Sequence, residues 1–175
     1  MWVFISGDLT VFGIFFVLFL FYRDQDLATF RESQLALNQY IGLINTLLLL
    51  TSSWFVARAM NLVRCGQSRD AARLIAFALL CGAGFLLDKI VEWSHLIGEH
   101  KSALTDYFYL FYFMLTGIHA FHVLIGMVIL VFQWRSLSKG ADIGGRYIAT
   151  VENGALFWHL VDLLWIALFA LLYLV

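Results

Sequence analysis

The sequence predicts an all-α membrane protein, a bundle of five transmembrane helices, and three observations carry that reading. Of its 175 residues 62% are hydrophobic and only 13% charged, with a mean hydropathy of +0.86, whereas soluble domains carry about 25% charged residues. Hydrocarbon about 30 Å thick is crossed by about 20 apolar residues in helical form, and five such stretches follow one another. The polar connections between them run to roughly 10–18 residues, too short for a soluble domain of their own.

The predicted spans are Trp2–Tyr22, Asn38–Met60, Ala72–Leu96, Tyr107–Trp134 and Asn153–Leu174. Met1 is followed directly by Trp2-Val3-Phe4-Ile5, with neither the basic segment nor the cleavage site of a signal peptide, so the first span is expected to be retained. Since Met1 already falls inside that helix, the start reads as trimmed or internal. Residues 1–175 form one membrane domain on this reading. The sequence shows no internal repeat and contains no proline, which weighs against an inverted-repeat transporter with broken helices at mid-membrane. Gly42, Ser52-Ser53, Ala78-x-x-x-Gly82, Gly84, Gly117 and Gly126 are small residues that let helices approach closely. Trp2, Tyr22, Trp93, Tyr107, Trp134 and Tyr173, near the span ends, fit interfacial aromatic belts. Cys65 and Cys81 form no CxxC or haem-attachment pattern.

Charge sets the expected orientation. Arg58, Arg64, Arg69, Arg73, Arg135, Lys139 and Arg146 lie in or beside the connections after the second and fourth spans. Arg23, Arg31 and Lys101, offset by Asp24, Asp26, Glu32, Glu99 and Asp106, lie in those after the first and third. Basic residues favour the cytoplasmic side, which puts the N-terminus in the cytoplasm and the C-terminus outside.

Titratable residues at membrane depth cost at least ~2.5–3.5 kcal/mol each on insertion scales, so each requires a reason. With about 1.5 Å of rise per residue, Asp8, His122 and His159 share one depth and His119 and Asp162 a second. His119 and His122 share a helix face, as do His159 and Asp162. These five residues are the candidate buried polar cluster, with three readings: carboxylate–imidazole bonds tying helices together, proton conduction, or a lipid headgroup site. Asp8 is expected to contact His122 or His159. Paired axial histidines are the haem alternative, but Asp8, His119 and Asp162 would crowd a macrocycle. A discrete metal site is likewise not indicated. In the third span Asp88, Lys89 and Glu92 form a second group, with Lys89 and Glu92 close enough to pair and Glu92 about one turn from the span end. It reads as an interhelical clamp or as a polar contact to a partner subunit. Glu152 lies near a membrane face.

Three long motifs then occur in order. The fourth span contains Phe113-Met114-Leu115-Thr116-Gly117-Ile118-His119-Ala120-Phe121-His122-Val123-Leu124-Ile125-Gly126, and the fifth contains Glu152-x6-His159-x-Val161-Asp162-x2-Trp165. The second reads Leu43-Ile44-Asn45-Thr46-Leu47-Leu48-Leu49-Leu50-Thr51-Ser52-Ser53. Together they resemble the signature helices of subunit III of haem–copper (cytochrome c) oxidases, in the five-helix form that lacks the first two helices of the seven-helix mitochondrial subunit. Trp2-Val3-Phe4-Ile5-Ser6-Gly7-Asp8, Tyr22-Arg23, Ser33-Gln34 and Lys89-x2-Glu92 resemble the NorE-type branch associated with bacterial nitric oxide reductase. Asp8 stands where many oxidase subunits carry Glu, and Lys89 departs from the usual oxidase pattern.

The resemblance implies a non-catalytic accessory subunit of the bacterial inner membrane that binds no haem, copper or other cofactor itself and has no nucleic-acid partner. It implies a haem-bearing catalytic partner, either nitric oxide reductase in denitrification or a terminal oxidase in aerobic electron transport. The subunit would support that partner's assembly, stability or sustained turnover. It also implies structural phospholipid, for which Arg58, Arg64 and Arg73 are the headgroup candidates, each worth about 1 kcal/mol toward acidic lipid. A free-standing transport or binding protein is the alternative.

Overall fold

The computed structural model describes residues 2–139 and 145–174, without the side chains of Trp2, Val3, Phe4 and Arg146. The expectations placed on Met1, on Trp2-Val3-Phe4 and on Arg146 therefore lie outside the described residues. Among these residues all regular structure is helical: α1 (Trp2–Gln25), α2 (Leu27–Leu35), α3 (Gln39–Arg64), α4 (Ser68–Gly98), α5 (Tyr107–Ser138) and α6 (Gly145–Phe169), which ends in a π-helical turn at Ala170–Leu174. The five long apolar helices are α1, α3, α4, α5 and α6 with its terminal turn. They overrun the sequence-derived boundaries, because α4 begins at Ser68, α5 continues to Ser138 and α6 starts at Gly145.

The short helix α2 was read as part of a charged connection. Its start is fixed by Asp26, whose carboxylate accepts from the Thr29 backbone N–H at 3.3 Å, a capping bond that satisfies one otherwise unpaired donor. Phe30 and Ser33 give it a buried face. Asn38 caps α3 by accepting from Tyr40 N–H at 3.0 Å. The α3–α4 turn closes through Gly66 at φ +78°, with Gln67 N–H on Leu62 C=O at 2.9 Å and Gly66 N–H on Val63 C=O at 3.0 Å, the paired bonds of a Schellman ending. The end of α4 repeats that pattern with His100 at φ 60° and Lys101 N–H on Leu96 C=O at 3.0 Å.

Helices α3, α4, α5 and α6 pack as a four-helix bundle. Small residues sit where large ones press: a Cβ on Gly126 would stand 2.7 Å from the Trp158 ring, and one on Gly42 2.8 Å from Phe169. Gly82 also meets Trp158, whereas Gly84 and Gly117 face looser surroundings. Gly154, which the motif reading passed over, lies hard against Gln133 and Ile129. Helix α1 flanks the bundle along α5 and is the least buried span. An aromatic seam holds it there: Phe19 on Phe111 at 5.9 Å and Tyr22 stacked on Tyr107 at 5.0 Å. Phe30 of α2 closes the seam against Phe19 and Phe108. The outside of the molecule is lipid-like, with Val17, Leu80, Leu87 and Phe132 each about two-thirds exposed.

Candidate functional site

The candidate polar residues fall into separate arrangements, each joining different helices. The most enclosed surrounds Lys89 of α4. Its side chain is 2% exposed, and its ammonium hydrogen-bonds Glu92 Oε2, donates to the Tyr173 hydroxyl at 2.8 Å and points toward Tyr112 Oη at 3.5 Å. Tyr173 in turn donates to Glu92 Oε1 at 2.7 Å. Lys89, Tyr173 and Glu92 thus close a ring in which the tyrosine oxygen accepts once and donates once and both carboxylate oxygens are used. The ammonium also lies over the rings of Trp165, Tyr112 and Tyr173 at 4.8, 5.4 and 5.4 Å, close enough for cation–π attraction. Glu92 is therefore buried and satisfied inside the bundle. Tyr173, expected in an interfacial belt, is fully buried. It lies in the π-helical turn at the end of α6, where its hydroxyl meets the ion pair, while Gln39 donates to its carbonyl at 3.1 Å.

Asp8 of α1 approaches His122 of α5, Oδ1 to Nε2 at 3.4 Å. The other imidazole nitrogen, Nδ1, stands 2.8 Å from the Ile118 carbonyl. A carbonyl can only accept, so Nδ1 carries the proton of this imidazole and Nε2 is the nitrogen that faces the carboxylate. His159 of α6 goes elsewhere: its Nδ1 is hydrogen-bonded to the Ser53 hydroxyl of α3, which also interacts with Asp162. His119 is fully enclosed, walled by Phe85 and Trp165 with ring centroids at 5.6 and 5.2 Å. Neither of its nitrogens, nor Asp162 Oδ1, has a hydrogen-bond partner among the described residues. So Asp8 and His122 meet, His159 and Asp162 converge on Ser53, and His119 stands between aromatic rings.

The three candidate headgroup arginines are already engaged. Arg64 makes a two-nitrogen contact with Glu152 Oε1, at 2.8 Å through Nη2 and 3.2 Å through Nε. Arg73 pairs with Asp70 at 3.0 Å, and Arg58 lies 5.7 Å over Trp54. The Arg64–Glu152 pair stands at a cavity of about 360 Å³ between α3 and α6, which Asn61, Leu156 and His159 also line. In the connection after α4, Lys101 hydrogen-bonds Glu99 at 2.7 Å and holds that carboxyl below its ordinary range, while the lysine is raised by the same bond.

Sequence reasoning did not assign Ser53, Tyr112 and Tyr173 to these contacts. Ser53 was visible as a small residue and as the end of the second-span motif, and the two tyrosines only as apolar or interfacial ones. Among the described residues no three His, Cys, Asp or Glu side chains converge in a way that could hold a metal ion.

Fold and site define a polytopic membrane bundle whose interior polar groups bind helix to helix. Residues 33–175 match the family model of cytochrome c oxidase subunit III, and the chain belongs to that family. Quinol oxidase subunit 3 of Bacillus spizizenii is 28% identical over 173 residues, covering 99% of this chain and 84% of that protein. Cytochrome c oxidase subunit 3 of a Synechocystis strain is 28% identical over 98% of this chain and 72% of that protein. A haem–copper oxidase subunit I+III of Aeropyrum pernix is 28% identical over the whole chain, which spans 22% of that longer protein.

Proposed function

We propose that this chain is a cofactor-free accessory membrane subunit of a haem–copper respiratory enzyme, supporting the assembly, stability or sustained turnover of a catalytic partner. The family match over residues 33–175 carries the reading. The Aeropyrum relative, whose name joins subunits I and III in one chain, supports a catalytic subunit I as the neighbour. The interior chemistry is consistent with it, since the paired groups bridge helices and present no reactive constellation. The partner is a terminal oxidase or a nitric oxide reductase; Lys89 with Glu92, and Asp8 in place of Glu, favour the NorE-type branch. The chain resides in a bacterial inner membrane with its N-terminus in the cytoplasm, as the distribution of Lys and Arg supports. Structural phospholipid is part of the same proposal. Arg58, Arg64 and Arg73 all remain exposed beside their contacts and are the headgroup candidates.

The test is mild-detergent purification of the tagged chain from native membranes, followed by mass spectrometry and a visible spectrum. A haem-containing subunit should accompany the chain, and the chain freed of it should show no Soret band. Deleting the gene should leave the partner's haem spectrum recognisable while lowering its amount or sustained turnover. Complete loss of single-turnover chemistry in a fully assembled partner would contradict the proposal, as would solute transport by the purified chain in liposomes.

A further inference from the structure

Glu152 and His159 stand two turns apart on α6, so their side chains leave the same helix face about 10 Å apart along the axis. Both line the cavity of about 360 Å³ between α3 and α6, a volume within the range of small-molecule sites. At one end Arg64 places Nε and Nη2 on Glu152 Oε1, which leaves Oε2 open. At the other end the Ser53 hydroxyl meets both His159 Nδ1 and Asp162. A hydroxyl has one proton, and a carboxylate only accepts. With that proton given to Asp162, Ser53 accepts from His159 Nδ1–H, and Nε2 is left as a bare acceptor at the cavity. His159 also lines a second cavity, of about 390 Å³, in the groove between α1 and α6. That groove runs from Leu156 to Ala167, about 16 Å along α6, and apart from His159 its lining is apolar. The two cavities share Leu156 and His159.

We propose that these two cavities form one binding site for a membrane quinol, its ring between His159 and Glu152 and its isoprenoid tail in the α1/α6 groove. The site offers an acceptor at each end, and a quinol carries a hydroxyl donor at each end of its ring. The ring, with a hydrogen bond of about 2.7 Å at either end, spans the two helical turns between the acceptors. A phosphate headgroup would instead bring acceptors to the Glu152 carboxylate and the His159 lone pair, with the Arg64 nitrogens already on Glu152. An acyl chain alone would fill the groove and leave both acceptors unmet. The oxidised quinone accepts at both ends and fits less well than the quinol. Depth agrees with the assignment, because Arg64 ends α3: the ring lies toward one end of the bundle and the tail runs along the apolar groove away from it. The inference goes beyond the accessory role and holds whichever partner the chain serves.

The experiment measures the anaerobic partition of a radiolabelled decyl-tailed benzoquinol between lipid nanodiscs with and without the purified full chain. Discs holding the chain should show saturable binding. His159→Asn, whose amide can replace Nδ1 against Ser53 but has no atom at Nε2, should weaken it about two- to twelvefold, the worth of one neutral hydrogen bond. Glu152→Leu should weaken it as well. Leu163→Trp fills the groove from an exposed position and touches neither polar link, so it should weaken binding while circular dichroism shows the bundle intact. The dimethyl ether of the same quinol, which keeps the ring and tail and loses both donors, should compete poorly. Absence of saturable binding to the wild-type chain would overturn the proposal, as would unchanged binding to His159→Asn. So would competition by the ether or the quinone equal to that of the quinol, which would reveal an apolar groove without a ring site. Displacement of the quinol by phosphatidylglycerol at equal concentration would overturn it in favour of a lipid headgroup.

Discussion

Replacing Lys89 by methionine removes a buried cation while leaving the volume of its stem nearly filled. Glu92, itself 5% exposed, then keeps only the Tyr173 hydroxyl on Oε1. Deleting one member of a buried ion pair costs about 3–5 kcal/mol because the remaining charge is stranded. The lost cation–π contacts to Trp165, Tyr112 and Tyr173 add to that by about 0.5–2 kcal/mol. Such a loss is a large part of the ~5–15 kcal/mol that holds a typical folded protein together. The double change Lys89→Met with Glu92→Leu strands no charge, and Tyr112 and Tyr173, already 3.5 Å apart at their hydroxyls, can satisfy each other. An apolar replacement of that kind is neutral or favourable. The cycle should therefore show the double variant at least about 3 kcal/mol more stable than the sum of the single changes. Reversible denaturation of the purified chain in mixed detergent micelles, followed by circular dichroism, measures it. Additive losses would refute the argument, because they would mean that the two side chains do not meet in the folded bundle.

Gly126→Ala should destabilise by about 1–3 kcal/mol through overpacking, since the new methyl would stand 2.7 Å from Trp158; Gly84→Ala serves as the harmless control in the same denaturation assay. Asp8→Leu should cost about 1–3 kcal/mol, because His122 Nε2 loses its partner while Nδ1 stays on the Ile118 carbonyl; Asp8→Asn, whose amide can donate to Nε2, should cost less. Arg64→Gln should change stability by no more than about 1 kcal/mol, as expected of a pair whose side chains are 58% and 38% exposed. Lys101 holds Glu99 below its ordinary value of 4.5, and a depressed carboxyl contributes above its unfolded pKa and loses that contribution as pH falls through the folded one. Amide exchange in the α4–α5 connection should therefore quicken only at acidic pH, below 4.5, and Lys101→Met should move that loosening to higher pH.

The architecture was legible because hydrocarbon thickness imposes a length on each span, and five stretches of that length are separated by charged residues. Helix α2 was not, since nine residues with charges at Arg31 and Glu32 look like a connection until Phe30 is seen seated on Phe19 and Phe108. Counting residues from the span ends gave Asp8 and His122 a common depth, and the structure sets them 3.4 Å apart. The same count gave His159 that depth too, but depth leaves the angle around the bundle axis open, and His159 turns to Ser53 on α3 instead. Tyr173 was read only from its place near a span end, which leaves its angle around the axis open, and that angle brings its hydroxyl onto Lys89 and Glu92.

The bundle keeps ionisable groups in its interior, and their pairing gives the reason. The ring of Lys89, Glu92 and Tyr173 joins α4 to the turn that ends α6. The Asp8–His122 contact joins α5 to α1, the span with the least buried surface of its own. Ser53 with His159 joins α3 to α6 at depth, and Arg64 with Glu152 joins the same two helices at one end. Lipid tails offer helices no hydrophobic incentive to prefer one another, so packing and polar contacts must choose the register. Each of these links specifies a pair of helices and a height along both. A shift of one turn, about 5.4 Å, would strand a charge in hydrocarbon. The links fix a shape, and the described hydrogen bonds do not join them into one path across the molecule. Each link therefore fixes the register of helices that lipid alone would leave free to slide.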